Sequence, residues 1–236
     1  MAAHHLPVHK TGAALTISLM NAPLPDFRQA FLAFALERGV LKFGSFTTKS
    51  GRSTPYFFNS GLFNDGESLR CLGEFYADAF LASGIACDQL FGPAYKGIPL
   101  VSATAVALAA RGRNLPYSFD RKEAKDHGEG GTIVGAPLNG RVLVIDDVIT
   151  DGGAKREAID KIRAHGAEAA GILIALDRQE RGRGAQSPVQ EIEEQYGIRV
   201  VAIAALDDLF TFMRGRRELA GHLPDIERYR EAYGVR

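Results

Sequence analysis

Apolar positions along the chain fall into two patterns, periodic and continuous, and these separate helices from strands. Phe27, Ala30, Phe31, Phe34 and Ala35 recur at three- and four-residue spacing behind Asp26, which predicts a helix capped by Asp26 and ended at Gly39. A second helical pattern runs from about Glu67 to Ala82 and closes at Gly84, and a third begins near Gly97 and reaches Ala110. The third contains Pro99, Ser102 and Thr104 and stops at Arg111. It therefore reads as a buried helix rather than a membrane span, which needs about 18 apolar residues in a row. Gln89 to Gly92, Val142 to Ile145, Ala169 to Leu176 and Val200 to Ala204 are continuous apolar runs. Continuous runs imply strands buried on both faces. The predicted class is α/β, a parallel sheet core flanked by helices, with short strands and turns between Phe43 and Asn64.

Composition narrows this picture only a little. The 236 residues leave room for one larger domain, or one domain with an appendage. Lys and Arg number 28, as do Asp and Glu, and a net charge of zero argues against binding nucleic acid through an overall basic surface. A balanced total still permits a small anionic ligand wherever charges cluster. Cys71 and Cys87 form no C-x-x-C pair, and two small buried apolar side chains are expected. Residues 1–22 carry His4, His5, His9 and Lys10 but lack the apolar core of a signal peptide. They are expected to be a disordered extension ahead of a single domain spanning 23–236.

The chemistry-bearing residues lie where the predicted strands end, which is where parallel α/β sheets bind their ligands. Val142 to Ile145 runs into Asp146, Asp147, Val148, Ile149, Thr150, Asp151, Gly152, Gly153 and Ala154, followed by a helix to about Ala164. Glycines at a helix start let successive N–H groups face one anion, and Thr150 adds a hydroxyl. Two carboxylates beside such a loop suit Mg²⁺ held through water, or the hydroxyls of a ribose. The competing readings, an acidic strand of a nucleotide hydrolase or a plain helix cap, lose weight because G-x-x-x-x-G-K-[ST] is absent. So are G-x-G-x-x-G after a strand, H-E-x-x-H and G-x-S-x-G. Arg121 to Gly135 holds seven charged or His residues between 121 and 129, then Gly128, Gly130, Gly131 and Gly135. That composition predicts a mobile loop able to close over a site.

Asp146 to Ala154 resembles the diphosphate-sugar signature of the type I phosphoribosyltransferases. Phe91 to Gly97, Arg121 to Gly130 and Asp177 to Arg181, with Lys42–Gly44 and Ser50–Phe58, make the chain similar to the bacterial orotate phosphoribosyltransferases, in register from about Phe27 to Tyr233. The resemblance implies a type I core with a small hood formed largely by the N-terminal part. It implies transfer of the phosphoribosyl group from 5-phosphoribosyl 1-diphosphate to orotate, with Mg²⁺, in a cytoplasmic homodimer whose loops are shared across the interface. No role with nucleic acid or membranes is implied.

By the same resemblance, Lys49, Tyr95, Lys96, Arg121, Lys122, Lys125, His127 and Asp146 through Ala154 hold the phosphoribosyl diphosphate. Phe57, Phe58, Thr150 and Arg178 surround the base, and Lys125, Asp146 and Asp147 are the catalytic candidates. No dedicated metal ligand is implied, since Mg²⁺ would be held mainly through substrate and water. The chemistry agrees. Diphosphate leaving a ribose calls for converging cations, and a guanidinium fork matches the carboxylate of orotate. Asp151 stands out, because a carboxylate aimed at a phosphate would repel it. It is expected to point outward and favour the helix start. Two other readings are a transferase for a purine or uracil, which leaves Arg178 and the Arg121–Lys125 loop without a reason, and a regulator that retained only ligand binding. The second would not need the loop lysines and would be expected to add a basic DNA-binding segment.

Overall fold

The computed structural model describes residues 26–48, 51–125 and 131–235, with only the backbone of Ala124 and Lys125. Residues 1–22, Lys49 and His127 lie outside this set, as does the side chain of Lys125.

Helix α1 (Phe27–Glu37) starts as its sequence demands, with the Asp26 carboxylate accepting the Arg28 N–H at 3.1 Å. Phe31, Leu32 and Ala35 are its buried face. Strands β1 (Leu41–Thr47) and β2 (Ser53–Phe58) pair antiparallel in a sheet of their own, and a 3₁₀ turn at Ser60–Leu62 follows. Helix α2 (Gly66–Ser83) is capped by Asp65, which accepts the Ser68 N–H at 2.7 Å, and ends at Gly84.

The larger sheet then builds up from β3 (Gln89–Gly92), α3 (Gly97–Ala110), β4 (Tyr117–Lys125), β5 (Gly131–Gly135) and β6 (Arg141–Ile145). Helix α4 (Gly153–Ala164), β7 (Glu168–Asp177), α5 (Pro188–Tyr196) and β8 (Arg199–Ala205) continue it. The chain closes with α6 (Leu206–Arg214), a 3₁₀ turn at Arg217–His222 and α7 (Leu223–Tyr233). Strand order is β5-β4-β3-β6-β7-β8, parallel throughout except for the antiparallel β4–β5 edge.

The two-faced burial expected of a parallel sheet is visible residue by residue. Val142 and Val144 of β6 pack with Ile159, Ile162 and Ile192 on one side. Leu143 and Ile145 belong to the core on the other, with Leu72, Tyr76, Leu108 and Phe210. The β1–β2 hairpin packs against α1 and against α7, so the hood above the sheet draws on both ends of the chain.

Three expectations need correction. The segment from Arg121 to Gly135, expected to be loop, contributes two strand arms, β4 and β5, on either side of 126–130. An edge ladder is held by backbone hydrogen bonds and tolerates polar side chains, so composition concealed it. Helix α3 is buried on one face only, with Val106 72% exposed. Cys87 is buried, but Cys71 is half-exposed beside Glu67.

Candidate active site

The site lies at the carboxyl edge of the sheet, where β3, β6 and β7 end side by side. Close backbone approach shapes the β3 exit: a Cβ on Gly92 would lie 2.2 Å from the Gly97 carbonyl oxygen, and one on Gly97 would lie 2.9 Å from that of Ile145. Only glycine at both positions lets α3 start tight against the end of β6. The intervening turn carries Ala94, Tyr95 and Lys96 over the end of β6. There they line a cavity of about 270 Å³ with Asp146, Asp147, Val148, Thr150, Asp151, Gly152, Ala154 and Lys155.

The floor of this cavity is two adjacent carboxylates, each paired with its own lysine. Asp147 Oδ2 accepts the Lys96 ammonium at 2.6 Å and the Ser60 hydroxyl at 2.8 Å. Asp146 Oδ2 accepts the Lys155 ammonium at 2.5 Å, and its Oδ1 accepts the Asp147 N–H at 2.9 Å. The backbone beneath is pinned as well: the buried Tyr76 hydroxyl donates to the Asp146 carbonyl at 2.7 Å, and the Ala175 N–H donates to that of Asp147 at 2.8 Å.

Burial acts against both carboxylates, but with different outcomes. Burial would raise Asp147, yet Lys96, Ser60 and the Val148 N–H outweigh it and hold the carboxyl below its usual range. Asp146 is left above its usual range, because Lys155 opposes burial and the adjacent charge without cancelling them. Neighbouring acids with divergent proton affinity characterise sites that must handle charge.

Beyond Asp147 the chain turns into α4 through Gly152, whose φ of 77° is one that L side chains rarely adopt. The Asp151 carboxylate folds back onto the helix start, accepting the Gly153 N–H at 3.0 Å, while Arg156 holds the Asp151 carbonyl at 2.9 Å. Asp151 favours the helix start as expected, but it lines the cavity instead of pointing outward, because its carboxylate turns back over the loop to take the Gly153 N–H. Ile149 and Gly153, placed at the site from sequence, do not line it, and Ile149 packs beside the core under α4.

A second polar cluster sits past the end of β7. Arg178 follows the last residue of that strand, and its Nε and Nη2 both point at Glu180 Oε1, at 2.8 Å and 2.7 Å. Nη2 also donates to Thr54 Oγ1 at 3.2 Å, and the guanidinium lies 4.7 Å from the centroid of the Tyr56 ring. Glu180 further accepts the Tyr56 hydroxyl at 3.2 Å and pairs with Arg52 at 3.5 Å. The fork that the resemblance assigns to the base is thus engaged by an internal carboxylate. Of the two adjacent rings on β2, Phe57 is exposed and stacks on Phe46 at 5.5 Å, while Phe58 lies 6.2 Å from Phe31 and packs on the core. Strand alternation sends the two rings to opposite faces.

The structure therefore brings Tyr95, Lys96, Asp146, Asp147, Val148, Thr150, Asp151, Gly152 and Ala154 onto one cavity. It sets Arg178 and Phe57 apart on the β2 side, and Arg121 and Lys122 on β4 away from the lining. Sequence reasoning missed Ser60, Tyr76, Lys155 and Glu180. For Lys155 a signal existed, since a cation in the first turn of a helix opposes the macrodipole and needs a reason. Among the described residues no group of three His, Cys, Asp or Glu side chains could hold a metal by itself.

Comparison with known proteins gives a consistent family. Residues 67–204 match the phosphoribosyl transferase domain. The chain is 62% identical over 213 residues to an orotate phosphoribosyltransferase of Thioalkalivibrio sulfidiphilus, covering 90% of this chain and all of that one. A crystal structure of orotate phosphoribosyltransferase from Francisella tularensis superposes with a TM-score of 0.81 at 41% identity, over 87% of this chain and all of that one. The Mycobacterium tuberculosis orotate phosphoribosyltransferase, solved with 5-phospho-α-D-ribosyl 1-diphosphate, shares the fold at 21% identity and a TM-score of 0.56, over 80% of this chain and 95% of that one.

Proposed function

We propose, from the premise that the chain belongs to the orotate phosphoribosyltransferase family, that it transfers the phosphoribosyl group of 5-phosphoribosyl 1-diphosphate to orotate. The bond from ribose C1 to the diphosphate oxygen breaks, the bond from C1 to the orotate ring nitrogen forms, and orotidine 5′-phosphate and diphosphate leave. The observation that carries this reading is the pair of lysine-held carboxylates, Asp146 and Asp147, at the mouth of a glycine-containing helix start. Hydroxyls of a ribose fit the carboxylates, and a phosphate fits the N–H groups of the loop.

The positive character developing at C1 and the negative charge leaving on diphosphate set the protein's task, which is positioning and charge stabilisation. Tyr95 and Lys96 are assigned to the diphosphate side, with Arg121, Lys122 and Lys125 on the β4 arm and Lys49 and His127 outside the described residues. Lys125 is the catalytic candidate, meeting the leaving group from the hairpin. Asp146 and Asp147 are assigned to the ribose, Thr150 to both ligands, and Phe57 and Arg178 to orotate, with Phe58 backing the base side from the core.

Mg²⁺ fits as an ion shared with the ligand rather than caged by protein: it binds through one or two carboxylates plus phosphate oxygens and keeps several waters. When bound it supplies charge neutralisation on the diphosphate. A homodimer with loops reaching the partner is part of the proposal, supported by Val106 and Leu81, large apolar side chains exposed on the packed α2–α3 pair. Size-exclusion chromatography with light scattering checks it. No helix among the described residues is long and apolar enough to cross a membrane, and a cytoplasmic enzyme is proposed.

A substrate panel tests the reading. Protein, Mg²⁺ and 5-phosphoribosyl 1-diphosphate are incubated separately with orotate, uracil, adenine or hypoxanthine, and diphosphate release is followed. Release with orotate alone is expected; release with uracil and not orotate overturns the assignment.

A further inference from the structure

Lys155 occupies a position that helix electrostatics and solvation both disfavour. It is the third residue of α4, inside the first turn, where the helix already presents partial positive charge. Its side chain is only 7% exposed, so its ammonium has been taken out of water. Pairing with Asp146 offsets part of that cost. A buried ion pair, however, is often no more stabilising than apolar residues of similar volume. Stability alone therefore gives weak reason for the lysine.

The charges lining the cavity supply a better one. Asp146, Asp147 and Asp151 set three carboxylates against two ammoniums, those of Lys96 and Lys155. Lys96 is committed to Asp147 and Ser60 on the far side, with 56% of its side chain exposed. On the loop side, Asp151 adds a negative charge and also takes the Gly153 N–H, a donor that a helix start would otherwise offer to an anion. Ala154 brings no hydroxyl. A phosphate entering this loop would meet one donor fewer and one carboxylate more than such a site requires. Lys155 is the only cation among the lining residues on that side.

We propose that Lys155 is a phosphoribosyl-binding residue of this site: its buried ammonium offsets Asp151 and serves the 5′-phosphate end of the ligand. An ammonium carries three N–H donors, and Asp146 takes one of them, so the same group can anchor the ribose-facing carboxylate and still reach the ligand. The proposal rests on the phosphoribosyl reading above and adds a residue and a compensating charge pair to it.

Calorimetric titration of the full chain with ribose 5-phosphate, inorganic diphosphate and 5-phosphoribosyl 1-diphosphate tests this. Lys155→Met removes the charge, and Lys155→Gln removes it while keeping a donor for Asp146. Both are expected to weaken ribose 5-phosphate by about tenfold or more, the scale of one charged hydrogen bond, while diphosphate stays within about twofold. Adding Asp151→Asn to either variant restores most of the loss. Asp151→Asn in the otherwise unaltered chain tightens ribose 5-phosphate several-fold, an arm that needs no change at Lys155 should both of its variants fail to fold. Ribose 5-phosphate affinities of the Lys155 variants within about twofold of the parent overturn the proposal. So does an unchanged affinity in Asp151→Asn. A parent chain that binds neither ribose 5-phosphate nor 5-phosphoribosyl 1-diphosphate sinks the phosphoribosyl reading itself, a result distinct from the other two.

Discussion

Asp146 and Lys155, on the floor of the cavity, are nine residues apart, joined by one strand end, one turn and one helix start. The partners around Arg178 come from far more distant parts of the chain. Thr54 is 124 residues away from Arg178, and Tyr56 is 124 away from Glu180. The C-terminus closes over the same cluster, where Val235 N–H donates to the Gln179 carbonyl, Glu180 bridges to Gly234, and the Tyr229 ring stands edge-on to Tyr56 at 6.3 Å. Local construction gives the Asp146–Lys155 pair its geometry as soon as β6 and α4 form, while Asp147 beside it still takes Lys96 and Ser60 from 51 and 87 residues away. Long-range construction makes the Arg178 region depend on how the hood docks. Damage to the hood should therefore reach base binding before it reaches sugar binding.

The largest expected effect tests whether chemistry belongs to neither region but to the hairpin arm. Lys125→Ala should lower kcat about 100-fold or more, the scale of a lost transition-state charge contact, with orotate affinity little changed. A change confined to KM would make Lys125 a binding residue. Next, Arg178→Ala should raise the orotate KM by roughly 10- to 100-fold, as expected for loss of a charged hydrogen bond. The KM for 5-phosphoribosyl 1-diphosphate should stay near that of the parent, and parallel losses in both would erase the distinction between the regions.

Glu180→Gln probes the long-range region more gently. It leaves Arg178, Arg52 and Tyr56 without their shared anion, so the orotate KM should rise, by less than in Arg178→Ala, with a loss of about 1–3 kcal/mol in stability. Urea unfolding and steady-state kinetics together read both parts.

The smallest effect is a control outside both regions. Hydrogen bonds from Arg141 hold the exposed Asp88 carboxyl down at about 2. A depressed carboxyl contributes stability that is present above its unfolded value and lost as pH falls through the folded one. Asp88→Asn should thus melt slightly below the parent near neutral pH and converge with it at about pH 2, with substrate affinities unchanged.

The same contrast explains what could be read in advance. Asp26, Gly84 and Gly152 are local signals, and the helix cap, helix end and loop turn they predict are present. The β6 run and its two aspartates needed nothing from elsewhere in the chain. Lys155, by contrast, was hidden because its partner lies across a turn, and a charge next to Ala154 looks like a solvated surface until burial is known. Glu180 stood two residues from Arg178 in plain view, yet nothing local says that it occupies the fork. Strands β4 and β5 escaped notice because an edge ladder leaves no apolar pattern.

Sequence alone determined the class of this protein, its family, and the loop in which carboxylates meet a helix start, because each is written by residue type and spacing within short segments, and for the class and family by several such segments in order along the chain. Tertiary structure alone decided that each of the two aspartates has its own lysine, that Asp151 covers a loop donor, that Phe57 faces out while Phe58 packs inward, and that Arg178 rests on Glu180 beneath the C-terminal helix. Those outcomes depend on burial and on which distant groups share a low-dielectric space, and neither is set by neighbours along the chain.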